Sequence, residues 1–193
     1  MRRKLKNIMI LVMVLISGFL SACNFNGNEP YQMKSFTFTN QHGQDFGVED
    51  LKGKVWIADF IFTSCETVCP PMTANMAALQ KKLKSEDIPV EFVSISVDPS
   101  VDTPEKLREF MKKFTEDDSN WNMLTGYSQQ EIEKFAREEF QTLIQKPESS
   151  DQVIHGTNFY LINQNGEIIN DYSFTLGDDF KEIIADVKKQ TKL

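Results

Sequence analysis

Cysteine, histidine, glycine and proline are all scarce in this chain. Three Cys among 193 residues are too few for a disulfide-stapled scaffold. Nine Gly and seven Pro exclude collagen-like and low-complexity sequence. An excess of positive charge is also missing, since 21 Lys and Arg face 28 Asp and Glu and leave a net charge of −7. A nucleic-acid binder would need a field of the opposite sign. Long apolar runs are absent apart from Ile8–Leu20, which is interrupted by Ser17 and Gly18. That stretch spans about 20 Å as a helix, short of a bilayer core of roughly 30 Å. A multi-span membrane protein is therefore excluded. What the chain does have is 40% hydrophobic residues, 15 of the 193 being Phe, and length enough for one domain with an aromatic-rich core.

The first residues read as an address. Arg2-Arg3-Lys4-Leu5-Lys6, the short apolar run and the small residues Ser21-Ala22 predict a secretory signal over residues 1–22. Leu20-Ser21-Ala22-Cys23 resembles a bacterial lipoprotein box, which makes Cys23 the expected site of lipidation, by a palmitate-type acyl chain, and the first residue after cleavage. Residues 23–30 are then a lipidated Cys and polar tether, and residues 31–193 the domain. The basic end stays cytoplasmic, so the domain is expected on the outer face of the bacterial cytoplasmic membrane, where thiols can oxidise. Residues 1–22 hold four basic and no acidic side chains, so their loss would take the net charge from −7 to −11. An anionic membrane surface would repel such a domain, and the lipid anchor would have to hold it there. Only Cys65 and Cys69 then remain as thiols.

Within the domain, Ser35–Asn40 alternates as a short strand and Val55–Phe62 is a continuous β-prone apolar run suited to a strand buried on both faces. Pro70–Lys84 carries Met72, Met76, Leu79 and Leu83 on one helical stripe. Val90–Val97 predicts a second buried strand, and Thr103-Pro104 opens a helix running to about Phe114. Trp121–Thr125 is a candidate short strand, and Ser128-Gln129-Gln130-Glu131 is a capping box opening a helix to about Phe140. Thr157–Ile162, Asn165-Gly166 and Glu167–Asn170 form a hairpin, and Asp178–Lys189 a final helix. The order predicts an α/β fold of thioredoxin-like pattern: a mixed central sheet flanked by helices on both faces, with an N-terminal strand extension and a C-terminal hairpin plus helix.

Chemistry concentrates in Thr63-Ser64-Cys65-Glu66-Thr67-Val68-Cys69-Pro70, between a buried strand and a helix. Two thiols this near can close a disulfide, bind one metal ion or alternate between the two. Pro70 suits the first helical position, which makes Cys69 the expected helix cap, with its pKa lowered by the dipole. Asp59, on the strand leading to Cys65, is either a proton acceptor for a thiol or a carboxylate hydrogen-bonded within the sheet. His155 precedes the hairpin strand. If that strand runs antiparallel to the Cys65 strand, the imidazole meets the thiols at one sheet edge. Asp98 ends the second buried strand, where open α/β sheets place their sites, and is a candidate partner for His155, a distant ligand or a turn residue. Met72 and Met76 could supply thioethers but fit the core stripe, and His42 sits in a polar turn.

Together the Cys65-x-x-x-Cys69-Pro70 turn, the Asp98-Pro-x-x-Asp102-Thr-Pro104 run and His155 resemble the SCO/SenC (also PrrC) family, over roughly residues 31–190. The resemblance implies a thioredoxin-like domain in which Cys65, Cys69 and His155 bind copper. It implies a role in assembling the binuclear copper centre of cytochrome c oxidase, with that enzyme's copper-bearing subunit as partner. Such a protein is a metallochaperone more than an enzyme. Two thiolates suit Cu(I), an added imidazole suits Cu(II), and structural zinc wants four closed ligands. The competing reading is a thiol-disulfide oxidoreductase or redox sensor, with Cys65 and Cys69 as a redox-active disulfide acting on exported protein cysteines and no catalytic group beyond the dithiol. A peroxiredoxin-like peroxidase is disfavoured, because Phe62 stands where Thr or Ser would activate Cys65.

Overall fold

The computed structural model describes residues 31–147, 150, 152–175 and 180–191. Contacts divide the chain into Met1–Pro30 and Tyr31–Leu193, and the described residues belong to the second unit. The expectations for the signal, for Cys23 and for the tether thus lie outside the described residues. Among the described residues no helix is long and apolar enough to cross a membrane.

Among the described residues nine strands and five helices follow in the order β1 (Thr37–Asn40), β2 (Asp45–Gly47), α1 (Val48–Leu51), β3 (Trp56–Ile61), α2 (Cys69–Ser85), β4 (Glu91–Ser96), α3 (Pro104–Met111), β5 (Trp121–Thr125), α4 (Gln129–Glu139), β6 (Ile144–Gln145), β7 (Ile154–His155), β8 (Asn158–Ile162), β9 (Ile168–Ser173) and α5 (Lys181–Thr191). Seven strands form one sheet in the order β2-β1-β5-β4-β3-β8-β9, and β6 pairs with β7 in a separate two-stranded ribbon. The β3–β4 and β4–β5 pairs are parallel, whereas β8 runs antiparallel to β3 and β9 antiparallel to β8. This is a thioredoxin-like arrangement, with β1 and β2 added at one edge.

The sheet centre is apolar because β3 and β4 are covered on both faces; every residue of β3 is buried. Successive side chains point to opposite faces. Phe60 meets Phe140, at the end of α4, edge-on at 5.0 Å, while the neighbouring Asp59 acts electrostatically on Cys69 in the first turn of α2. The two helices therefore lie on opposite faces. On α2 the stripe Met72, Met76, Leu79 and Leu83 is at most 1% exposed, each side chain contributing about 1.5–3 kcal/mol of burial. Met72 and Met76 are thus core residues.

Local signals end the elements where expected. The Thr103 hydroxyl accepts the Lys106 N–H ahead of Pro104, and Ser128 and Glu131 form a reciprocal capping box. Gly166, at φ +79°, makes the β8–β9 turn. The short elements β2, α1, β6 and β7 are additions to the predicted set.

Candidate metal centre

The sheet edge at the C-terminal ends of β3 and β4 gathers the chemistry. The chain leaves β3 through Phe62 and Thr63 and turns sharply, with the Cys65 N–H donating to the Phe62 carbonyl at 3.2 Å. This turn is clamped by Asp102, whose two carboxylate oxygens each accept the Thr63 N–H at 3.2 Å; Asp102 also accepts the hydroxyls of Thr63 at 2.5 Å and Ser96 at 2.6 Å. Burial pushes the Asp102 carboxyl upward, against the pull of the Ser96 and Thr63 donors. From the sequence Asp102 stands only within the Asp98–Pro104 run, at the opening of the following helix; its position four residues after Asp98 is the signal available for a role in the site.

Both thiols are free and buried. The helix begins at Cys69 itself, with Val68 at the N-cap position and no side-chain oxygen capping it. A sulfur takes that role: Cys65 Sγ accepts the Cys69 N–H at 3.4 Å and lies 3.9 Å from the Thr67 hydroxyl. The expectation that Cys69 caps the helix and carries the lowered pKa is therefore corrected. Burial raises the Cys65 thiol, but the N–H and thiol of Cys69, with the N–H groups of Thr67 and Val68, more than offset this, so its pKa falls below the usual thiol value. Cys69 has its sulfur on the sheet side; burial pushes its pKa well up, the Phe62 backbone opposes this, and Cys65 and Asp59 add to it. The unpaired N–H groups at a helix start stabilise whichever sulfur faces them, and that sulfur belongs to the residue four positions earlier.

His155 lies on β7, whose pairing with β6 sets Ile144 opposite His155 and Gln145 opposite Ile154. Its inner face holds Ile144, 3% exposed, and the imidazole, while Ile154, 54% exposed, faces outward. Beside the ribbon, a Cβ on Gly156 would come to 2.5 Å from the Thr142 hydroxyl, so a larger residue there would have to turn that side chain aside. Antiparallel pairing of β8 with β3 brings the ring back to the dithiol. His155 Nε2 stands 3.7 Å from Cys69 Sγ, and the ring meets Phe62 edge-on at 5.6 Å. Nδ1 lies 2.7 Å from the Gly156 carbonyl oxygen, which can only accept, so the proton is on Nδ1 and the Nε2 lone pair faces the sulfur. Burial lowers the His155 pKa, with the Gly156 hydrogen bond opposing, and the ring is neutral near pH 7.

Asp98 does not fill the role of partner to His155; the Gly156 carbonyl takes that place. Its carboxylate is 1% exposed and pairs with Lys146 Nζ at 2.7 Å. His42 pairs with Asp118 at 3.1 Å, outside the site. Asp59 is fully buried with no donor in hydrogen-bond geometry at either oxygen; burial lifts its pKa to about 7, and the Ser94 hydroxyl, not close or aligned enough for a formed bond, draws it the other way. Among the described residues no three His, Cys, Asp or Glu side chains already converge as a ready cation cage. Instead the two thiols and the imidazole are joined in pairs, Cys65 to Cys69 and Cys69 to His155.

A thioredoxin-like domain with a reduced dithiol at a helix start and a neutral imidazole against it defines the class. Residues 26–192 match the SCO1/SenC family, and the chain belongs to that family. It is similar to a SCO1/SenC family lipoprotein from Bacillus anthracis, with 56% identity, TM-score 0.80, 84% of this chain and 98% of that one covered. BsSco, described as a member of the Sco family of cytochrome c oxidase assembly proteins with a disulfide switch, is 49% identical, with TM-score 0.78 and 86% and 96% coverage. Arabidopsis thaliana ScoI with copper bound is 28% identical, with TM-score 0.70 and 84% and 100% coverage.

Proposed function

We propose that this protein carries copper, held by Cys65, Cys69 and His155, to the copper-bearing subunit of cytochrome c oxidase, as a metal carrier and not a turnover enzyme. The observation that carries this reading is the Nε2 lone pair of His155 facing Cys69 Sγ at 3.7 Å. For metal–sulfur and metal–nitrogen bonds of about 2.3 and 2.1 Å, as for a first-row ion, donors about 115° apart stand about 3.7 Å from each other. The separation of these two atoms is thus compatible with one ion bound to both. The third donor joins when the Cys65 side chain turns away from the Cys69 N–H. Two sulfurs and one nitrogen suit copper in both oxidation states, and three protein donors fall short of a closed zinc site. Copper bound to Arabidopsis ScoI and the oxidase-assembly role of BsSco support the cargo and the recipient.

A second reading, thiol-disulfide exchange on exported protein cysteines, is favoured by the lowered pKa of Cys65 beside a protonated partner thiol and by the disulfide switch of BsSco. For either chemistry we place the domain on the outer face of the membrane, anchored through a lipid on Cys23. The lipoprotein nature of the Bacillus anthracis relative supports this placement.

The test is to reduce the full chain, remove the reductant anaerobically, add one equivalent of Cu(II) and record its visible absorption. Intense sulfur-to-copper charge-transfer bands are expected. His155→Ala should lose tight copper binding while its Cys65–Cys69 disulfide forms and is reduced as in the parent. Equal copper affinity in the two proteins overturns the three-donor site. Rapid thiol oxidation with copper left free in the parent favours exchange.

A further inference from the structure

The element that brings His155 to the dithiol is the least self-sufficient part of the fold. Two paired residues on each side, Ile144 with His155 and Gln145 with Ile154, make a ribbon far too short to persist alone. Something outside the ribbon has to hold it. Ile144 and Val153 are buried at 3% and 6% exposure, which supplies adhesion without direction. The directional contacts lie one residue beyond β6: the Lys146 N–H donates to Glu133 Oε1 on α4 at 3.4 Å, a long bond, and Lys146 Nζ reaches the Asp98 carboxylate at 2.7 Å and the Ser100 hydroxyl at 3.2 Å.

Asp98 is the stationary side of this pair. Its N–H donates to Ser96 Oγ at 3.1 Å, and its carbonyl accepts the N–H groups of Val101 at 3.0 Å and Asp102 at 2.9 Å. It is thus welded to the end of β4 beside the Asp102 clamp on the Cys65 turn. Its Oδ1 takes Lys146 and the Ser100 hydroxyl at 2.7 Å, while Oδ2 is buried without a partner. Among the described residues Lys146 is the one cation paired with this carboxylate. We propose that the Lys146–Asp98 ion pair is the latch that holds the β6–β7 ribbon, and with it the His155 imidazole, against Cys69. Lys146 is a positioning residue that acts through His155, and its consequence for copper rests on the reading given above. A buried carboxylate that loses its cation is relieved by letting water in. Since Asp98 is fixed, the ribbon is the part that gives way. Breaking the pair frees the nitrogen donor and leaves the two sulfurs where they are.

Lys146→Met and Lys146→Arg in the full chain test this without metal and with it. In the reduced, metal-free protein, amide hydrogen exchange over residues 141–147 and 152–155 should quicken about ten-fold or more in Lys146→Met and stay at the parent rate in Lys146→Arg, with residues 69–85 unchanged in both. Loaded with one equivalent of Cu(II), Lys146→Met should lose copper to a chelator about ten-fold faster, with charge-transfer bands shifted toward those of His155→Ala, while its disulfide forms at the parent rate. Asp98→Asn combined with Lys146→Met leaves no stranded charge to unfold the protein and should still loosen the ribbon through loss of the ion pair, by less than Lys146→Met alone. Unchanged exchange in either Lys146→Met protein overturns the latch, and faster exchange with unchanged copper loss overturns its action on the metal. Faster exchange in a protein whose parent shows no charge-transfer bands keeps the latch and overturns the copper reading instead.

Discussion

Asp59 offers a quantitative test of how the core accommodates the site. Its carboxyl is fully buried on β3, has no hydrogen bond to either oxygen, and stands in register with Ser94 on β4. Burial lifts its pKa from the usual 3.8 to about 7. Between those two values the folded chain keeps a proton that the unfolded chain has released, so stability falls as pH rises. The slope is about 1.4 kcal/mol per pH unit and the whole loss about 4 kcal/mol, complete above the folded pKa and absent below the unfolded one. Asp59→Asn keeps the shape and removes the titration. Urea unfolding of the reduced, metal-free protein at pH 5 and pH 8 should therefore show the variant gaining about 3 kcal/mol on the parent between the two conditions. The thiols titrate in both proteins, so their contribution largely cancels in the comparison. A difference between variant and parent that is the same at both pH values, within about 0.5 kcal/mol, would refute the assignment of a buried carboxyl that stays protonated.

Two further outcomes follow from the same geometry. Iodoacetamide at pH 7.5 should alkylate Cys65 ahead of Cys69, because the helix-start N–H groups favour the Cys65 thiolate and burial disfavours that of Cys69; peptide mapping that finds Cys69 modified first reverses the roles. Ser128→Ala removes the hydroxyl that accepts the Glu131 N–H at 3.3 Å and should cost about 1 kcal/mol in urea unfolding, with the copper charge-transfer bands unmoved. A cost near zero would mean that the capping box contributes nothing to α4.

Long elements were readable from sequence because they are buried over enough residues to show a period. The continuous apolar run before Cys65 became β3 at Trp56–Ile61, and the Met72–Leu83 stripe became the buried face of α2. Antiparallel pairing of β8 with β3, the condition on which the sequence reading placed His155 at the thiols, is what brings it there. By contrast, β2 has three residues and β6 and β7 two each, too short for any periodicity to register. The assignment of the reactive thiol failed for a related reason. Sequence places Cys69 at the helix start, but which sulfur receives the free N–H groups depends on how the turn folds back, and that is a matter of three-dimensional path. Asp98 was legible as a residue at the carboxyl edge, whereas its partner was not, because Lys146 lies 48 positions away in sequence.

The division of labour among the three donors bears on whether a metal here would be cargo or fixture. A resident structural ion is held by donors that cannot leave, usually four of them and each on packed structure. In this domain Cys69 is wholly buried at the start of α2, the sole donor locked in place. Cys65 sits on a turn, and its sulfur has an alternative occupation, the Cys69 N–H at 3.4 Å. His155 rides a ribbon of two residue pairs, held by the buried Ile144 and Val153, the Lys146–Asp98 ion pair and the Lys146 N–H bond to Glu133. Two of the three donors therefore have somewhere else to go, at the cost of a side-chain rotation or the opening of a short ribbon, and neither movement disturbs the seven-stranded sheet. On the proposed reading such a site would bind and release in steps, one donor at a time, and each vacated position could be taken by a donor from a docked partner. That stepwise path would separate a carrier from a metalloenzyme built on the same three residue types.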